Sequence, residues 1–329
     1  MNDMGKKMTR VLRELLESKE IVVSPGVAIP LNALMAEAAG FKVVRLSGSN
    51  TANQIYGIPD AGLITMTEMV ENIRHVCNAV SIPVIADCDT GFGNAINVRR
   101  TVREVIKAGC AGVMIEDQVS PKRCGFTVGK ELISVEEAVG KYRAAVDARN
   151  ELDPDFCIQA RTDARTAVGG SLEEVIRRAK AYKEEAGVDM LYVEALQSRE
   201  EIKKVRAAVA GPLTVSTAAF KPEPSLEELQ ELGLCMTSRV QIFWVGNVAI
   251  WDLLTDMKKR GLAPWREWEE KHKDHPMGIW GVFDLVGFPK VREWEEKYLS
   301  KENLEKYDKS QGLYDARKGW QPFIETQEK

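Results

Sequence analysis

The sequence predicts an α/β protein, a (β/α)8 barrel of the TIM type with a helical extension at its C-terminus. Three observations carry that expectation. Short apolar runs alternate with longer helical patterns from about residue 20 to residue 260, the order expected of repeated βα units. The runs are almost continuously apolar, as strands covered on both faces require. Polar and charged residues collect just after the runs, on the face where a barrel keeps its chemistry. An open doubly wound sheet fits less well, because no GxGxxG follows any run.

Taken in order, the chain opens with an amphipathic helix whose apolar positions are interrupted by charge, so it does not read as a signal peptide. Residues 21–24 are a first strand, closed by Pro25-Gly26, and a helix over 30–39 stops at Gly40. A second strand, 43–46, runs into Ser47-Gly48-Ser49, and a loop through 56–60 leads to a helix over 67–80. The third strand, 84–86, ends in Asp87 and Asp89, ahead of a glycine-bearing turn and a helix over 97–107. The fourth, 112–115, ends in Glu116-Asp117, and a polar, glycine-broken loop carries Lys122, Arg123 and Cys124. After a helix over 135–149 comes a fifth strand, 157–160, ending in Arg161-Thr162-Asp163. A helix over 172–185 precedes the sixth, 190–193, which ends in Glu194, and a helix over 200–209 follows. The seventh, 212–215, ends in Ser216-Thr217 before a short helix over 225–232. Residues 240–244 are the eighth strand and 247–259 its helix.

Residues 1–260 are therefore expected to form the barrel and 261–329 the extension. The extension is rich in Trp, charge and proline, with an apolar island at 279–288 that should bury against the barrel or a neighbouring subunit. Residues 302–329 are polar enough to be partly disordered.

Composition excludes several function classes. A hydrophobic fraction of 44% with 29% charged residues is that of a soluble globular protein. A net charge of −4 leaves no electrostatic footprint for nucleic acid, and no apolar run is long enough to cross a bilayer. The 6 cysteines lack paired spacing and suit reduced thiols in the cytoplasm. The 3 histidines stand away from the acid-bearing strand ends, which argues against a histidine general base.

Carboxylates at the ends of buried strands need compensation, usually a metal or fixed donors. Asp87, Asp89 and Glu116 would sit on neighbouring strand ends, and hard oxygen ligands without His or Cys suit Mg2+ or Mn2+. A single such Asp is as easily a helix N-cap; the set of three is not.

With these residues in place, the stretches DCDTGFGNAINV, GVMIEDQVSPKRCG, GKEL and ARTDA resemble the isocitrate lyase/phosphoenolpyruvate mutase superfamily, and the KRCG loop resembles its methylisocitrate lyase branch. The resemblance implies a divalent metal, a gating loop carrying the cysteine, and a tetramer that swaps a C-terminal helix. It makes Asp87 the main metal carboxylate, with Asp89 and Glu116 acting through waters. Ser47, the amides of Gly48 and Ser49, and Arg161 would hold an oxo-acid carboxylate, with Asp60 and Glu194 at further polar positions. Lys122, Arg123, Cys124 and Gly125 match the loop, where the family's cysteine is the acid/base group. The implied activity is Mg2+-dependent carbon–carbon cleavage of a small 2-hydroxy acid to an oxo-acid, with Cys124, Arg161 and Glu116 catalytic. Oxaloacetate-type hydrolysis or decarboxylation, phosphonate chemistry, and a non-catalytic oxo-acid-binding barrel are the alternatives.

The chain departs from that pattern at several places. Phe126 stands where the lyases usually have His, and Arg45 where an aromatic Tyr is common. After the seventh strand, Ser216-Thr217 replaces an Asn that helps bind the departing carboxylate, which makes Ser216 the substrate-binding candidate there. Phe126, Phe220 and Trp244 suggest a larger or more apolar leaving fragment than succinate, unless they only pack the barrel mouth.

Overall fold

The computed structural model describes residues 7–18, 20–238, 241–278, 280–310 and 312–320. The chain divides into two compact units, Met1–Val245 and Gly246–Lys329.

The first unit alternates strand and helix as expected. Its elements are α1 (Met8–Glu17), β1 (Val22–Val23), β2 (Gly26–Val27), α2 (Pro30–Ala38), β3 (Val44–Leu46) and α3 (Gly48–Thr51), the last running into a π-helical turn, Ala52–Tyr56. They continue as α4 (Met66–Ala79), β4 (Val84–Asp87), α5 (Ala95–Lys107), β5 (Gly112–Glu116), α6 (Val135–Leu152), β6 (Cys157–Thr162) and α7 (Leu172–Glu184). The last are β7 (Met190–Val193), α8 (Arg199–Ala208), β8 (Leu213–Val215), α9 (Leu226–Glu231), β9 (Met236–Thr237) and the start of α10 (Ile242–Arg260).

Strands β2 to β8 form one parallel sheet of 7 strands in sequential order. The ring closes through β1 and β9. These pair in parallel, Val22 with Met236 and Val23 with Thr237, while the Cys235 amide donates to the Leu213 carbonyl of β8 at 3.1 Å. β1 and β2 are thus halves of one strand broken at Ser24-Pro25, and β9 fills the eighth position.

This corrects one expectation. Residues 240–244 are not the eighth strand: β9 lies upstream of them, Ile242 to Trp244 open α10, and Val240 lies outside the described residues. A short apolar run reads equally well as strand or buried helix, and here the helix prevails because the place in the sheet is already filled.

Local chemistry explains the helix starts. Ser134, Ser171, Ser198 and Ser225 each cap a helix by accepting the amide of the glutamate three residues on. Each S-x-E-E start also places two glutamates in the first turn, at the positive end of the helix dipole.

Alternation along the strands sorts the side chains. Val44, Leu46, Val84, Ala86, Val113, Ile115, Ile158 and Ala160 join the core shared with the helices. A second cluster plugs the lower end of the barrel: Leu12 and Leu16 of α1 pack with Val43, Ile85, Cys157, Met190 and Met236. Apart from Met114, the remaining inward positions are largely polar, and they build the site.

In the second unit α10 continues, followed by α11 (Ala263–His272), α12 (Gly281–Leu285), α13 (Phe288–Tyr298), α14 (Lys301–Asp308) and a hairpin of β10 (Tyr314–Asp315) with β11 (Gly319–Trp320). Of the expected apolar island, Ile279 lies outside the described residues, while Phe283 packs on Phe288 and Tyr314 at ring separations of 4.9 and 5.1 Å. The expected polar stretch from 302 holds α14 and the hairpin; residues 321–329 lie outside the described residues. No described helix is long and apolar enough to cross a membrane.

Candidate active site

The carboxyl ends of β3 to β7 bring the predicted acids, Lys122 and Arg161 together in and behind one cavity of about 250 Å³. Ser47, at the end of β3, caps α3 by accepting the Asn50 amide at 3.3 Å. That turn aims the Gly48 amide at Asp87 Oδ2, 3.3 Å away. A Cβ on Gly48 would stand 3.1 Å from Asp89 Oδ1 and 3.3 Å from Asp87 Oδ2, so glycine lets the backbone approach both carboxylates. Asp89 has φ +48, a left-handed conformation that Asp tolerates better than most residues.

Two buried cations face this acid cluster. Lys122 pairs with Asp60 and lies 3.2 Å from Asp89 Oδ1. Burial opposes its charge, but Glu116, Asp89 and Asp60 outweigh burial and hold its pKa above that of ordinary lysine. Arg161 donates two hydrogen bonds to Asp163, at 2.9 and 3.0 Å, and lies 3.3 Å from Glu116 and 3.4 Å from Glu194. These three acids likewise overcome burial and raise its pKa. Burial pushes the Glu116 carboxyl well above the usual range against the pull of Arg161 and Lys122. It pushes Asp89 up to about 6, with Lys122 opposing and Asp87 and Asp60 adding.

The loop after β5 folds over the cavity. Its base is fastened by Val119 N–H to Glu131 O at 2.8 Å, and the Gln118 side chain bonds both the amide and the carbonyl of Arg123, at 2.9 and 3.0 Å. Lys130, fully buried, donates to Gly125 O at 2.6 Å and to Asp163 Oδ1 at 3.2 Å, tying the loop to the residue that aligns Arg161. A Cβ on Gly125 would come within 2.4 Å of the Arg161 guanidinium and 3.0 Å of Glu194 Oε2. Cys124 lines the cavity beside it. Burial raises the thiol's pKa and Asp60 adds to the rise, against weaker opposition from the Phe126 amide and Lys122. Cationic neighbours therefore do not make it a thiolate; the cavity wall presents a protonated thiol.

Ser47, Ser49, Asp60, Asp87, Cys124, Gly125, Arg161 and Glu194 all line this cavity. Asp89, Glu116 and Lys122 lie behind it, joined by the ion pairs above. Ser216 lines an adjoining smaller cavity that shares Phe126, Tyr192, Ser238, Gln241 and Trp244 with the first. Arg123 is exposed and lies outside both linings. Of the three aromatics read from the sequence, Phe126 and Trp244 line the cavity, whereas Phe220 is buried in the helix-side core beneath Arg199. The apolar wall is therefore made of Phe126, Phe243 and Trp244 instead.

Arg45, Tyr192, Lys130 and Asp163 are site residues that the sequence reading did not assign. Period-two alternation could have found Arg45 and Tyr192, which stand two residues before Ser47 and Glu194 on the same strand faces.

No group of three or more His, Cys, Asp or Glu forms a ready-made metal cluster among the described residues. The donors nonetheless suit a hydrated hard cation. Glu116 Oε1 and Oε2 and Asp89 Oδ1 are buried without a hydrogen-bond partner, although Arg161 and Lys122 stand within ion-pair distance. Unsatisfied carboxylate oxygens beside Asp87 fit an ion of the Mg2+ kind, which keeps several of its waters and takes one or two direct carboxylates.

Over residues 12–258 the chain matches the family described as phosphoenolpyruvate phosphomutase. It is 40% identical over 299 residues to 2,3-dimethylmalate lyase of Eubacterium barkeri, spanning 88% of this chain and 97% of that one. It is 46% identical over 225 residues to 2-methylisocitrate lyase of Aeropyrum pernix, spanning 68% of this chain and 70% of the other. Among solved structures, phosphonopyruvate hydrolase in complex with oxalate and Mg2+ superposes with a TM-score of 0.78 at 29% identity, covering 90% of this chain and 100% of that one.

Proposed function

Because the chain belongs to the phosphoenolpyruvate mutase/isocitrate lyase superfamily, we propose that it is a carbon–carbon lyase. Its substrate is a 2-hydroxy acid of the 2-alkylmalate or isocitrate type, and its products are an oxo-acid, pyruvate or glyoxylate, and a second carboxylic acid. The observation that carries this reading is Cys124, a half-buried free thiol in the wall of the cavity that Ser47, Asp87 and Arg161 also line.

Asp87, with Asp89 and Glu116 through waters, would hold Mg2+ or Mn2+, supplying Lewis acidity that eases loss of the hydroxyl proton and stabilises the new carbonyl. Ser47, the Gly48 and Ser49 amides and Arg161 bind the carboxylate beside the reacting carbon. The hydroxyl proton passes through water to Glu116, which lies behind the cavity with both carboxylate oxygens free of hydrogen-bond partners and would be ionised beside the bound cation. The O–H electron pair becomes the carbonyl bond, the carbon–carbon bond breaks, and its pair stays on the departing fragment as an enolate-like carboxylate. Cys124 gives its proton to that carbon and regains one from solvent after release. Gly125, packed on Arg161 and Glu194, closes the cavity and keeps water from the carbanion. The 6 free cysteines support a reducing, cytoplasmic setting.

A lactate-dehydrogenase-coupled assay with Mg2+ across 2-hydroxy di- and tricarboxylates of graded alkyl bulk tests the reading, with the product then identified. We expect oxo-acid release from at least one branched acid. Silence on that panel, with turnover of oxaloacetate or phosphonopyruvate, would instead assign the site to hydrolysis, decarboxylation or phosphonate chemistry.

A further inference from the structure

Lys130 is 1% exposed, and an ammonium buried so fully needs partners that hold it. It stands on the fixed side of the loop after β5. Its carbonyl accepts the Val168 amide at 2.8 Å, Glu131 O accepts the Val119 amide at 2.8 Å, and Ile133 N–H donates to Asp117 O at 3.1 Å. From that base the side chain reaches back across the loop to Gly125 O at 2.6 Å and, at 3.2 Å, to Asp163 Oδ1. Asp163 does not depend on it, because Arg161 already meets both carboxylate oxygens, at 2.9 and 3.0 Å. The shorter, charge-assisted bond is the one to the loop.

That bond grips the peptide next to the thiol. The Gly125 carbonyl of this peptide accepts from Lys130, and its N–H, that of Phe126, donates to the Cys124 sulfur. Thr127 closes the same turn, its amide and hydroxyl donating to Cys124 O at 2.9 and 2.8 Å. One peptide plane thus joins the buried ammonium to the thiol in the cavity wall. A cation on the carbonyl oxygen polarises the peptide and strengthens its N–H as a donor. When Cys124 gives up its proton, the electron pair of the S–H bond stays on sulfur, and this N–H faces the thiolate that is left. Packing alone would be served at lower cost by an apolar side chain at position 130.

We propose that Lys130 is a positioning residue: through the Gly125–Phe126 peptide it sets the Cys124 thiol in the cavity wall and supports the thiolate left by proton transfer. The inference rests on the reading of Cys124 as the proton donor of a lyase.

A double-mutant cycle on the full chain with Mg2+ tests it, comparing single-turnover oxo-acid release by the wild type, Lys130→Met, Cys124→Ala and the double variant. Lys130→Met is expected to lower release about 100-fold when Cys124 is present, and by less than about threefold when alanine replaces it. Equal losses in both backgrounds would mean a lysine that only supports the fold and would overturn the proposal. Release by Lys130→Met within about threefold of the wild type would overturn it too. A silent wild type, or Cys124→Ala as active as the wild type, would instead overturn the reading on which the proposal rests. Hydrogen exchange then decides the lysine's hold on the loop without any substrate. The amides of residues 124–127 should exchange about tenfold faster in Lys130→Met, with those of Val119 and Ile133 unchanged, and unaltered exchange in the loop overturns the proposal. Should Lys130→Met not fold, Lys130→Gln, uncharged and one bond shorter, takes its place. Should neither fold, the Phe126 amide of the wild type decides: an amide without protection overturns the proposal.

Discussion

Gly125 stands where the loop meets Arg161 and Glu194, and its missing side chain is the reason the loop can lie against them. A methyl there would come within 2.4 Å of Arg161. Gly125→Ala should leave the thermal midpoint nearly unchanged, because the loop is a surface excursion, and lower kcat/KM by about 100-fold through misplacement of Cys124 and Arg161. Steady-state kinetics beside a melting curve checks both halves. At this scale legibility was uneven. An apolar run broken by Asp87, Glu116, Arg161 or Glu194 announces a functional strand end. Arg45 announced only that it differs from a common Tyr, because nothing in one strand reveals that its partners across the barrel are neutral. Phe220 misled for a related reason: aromatic character shows that a residue seeks burial, and says nothing of which side of the sheet supplies it.

Among the elements, α1 has the clearest structural duty. Its Leu12 is fully buried and, with Leu16, stoppers the barrel opposite the carboxyl ends of the strands. Leu12→Ala should cost about 3 kcal/mol of unfolding free energy and leave kcat unaltered, as urea denaturation and turnover at a permissive temperature would show. The helix starts were legible in principle, since S-x-E-E at 134, 171, 198 and 225 is a capping signature visible in letters. The closing strand was not. β9 is two residues long and is defined by pairing with β1, a partner more than two hundred positions away, so local pattern favoured the longer apolar run after it.

For the whole molecule, α10 carries no buried residue and exposes Val245, Val248, Ile250, Trp251 and Leu254. Apolar residues on that scale along one helix point to burial in an assembly, and a homo-oligomer is the form we propose. Light scattering during size-exclusion chromatography should give a mass above that of one chain, falling with dilution, and Trp251→Glu should shift it toward the monomer. A single-chain mass at every concentration would refute the assembly. The eight-stranded plan was legible because every βα unit repeats the same order of apolar run, polar end and amphipathic helix. The proposed assembly has only an excess of tryptophan and apolar residues near the C-terminus as its signal in the sequence.

Cys124 is the proposed proton donor to the departing carbon, and one measurement reaches that role most directly: oxo-acid release by Cys124→Ser against the wild type, at saturating Mg2+ and substrate, with oxo-acid binding followed in parallel. A hydroxyl at that position is a far weaker acid, so release should fall on the order of 1000-fold while oxo-acid affinity stays within a factor of two or so. Release within tenfold of the wild type, with binding intact, would contradict the account and take carbon protonation away from the loop thiol.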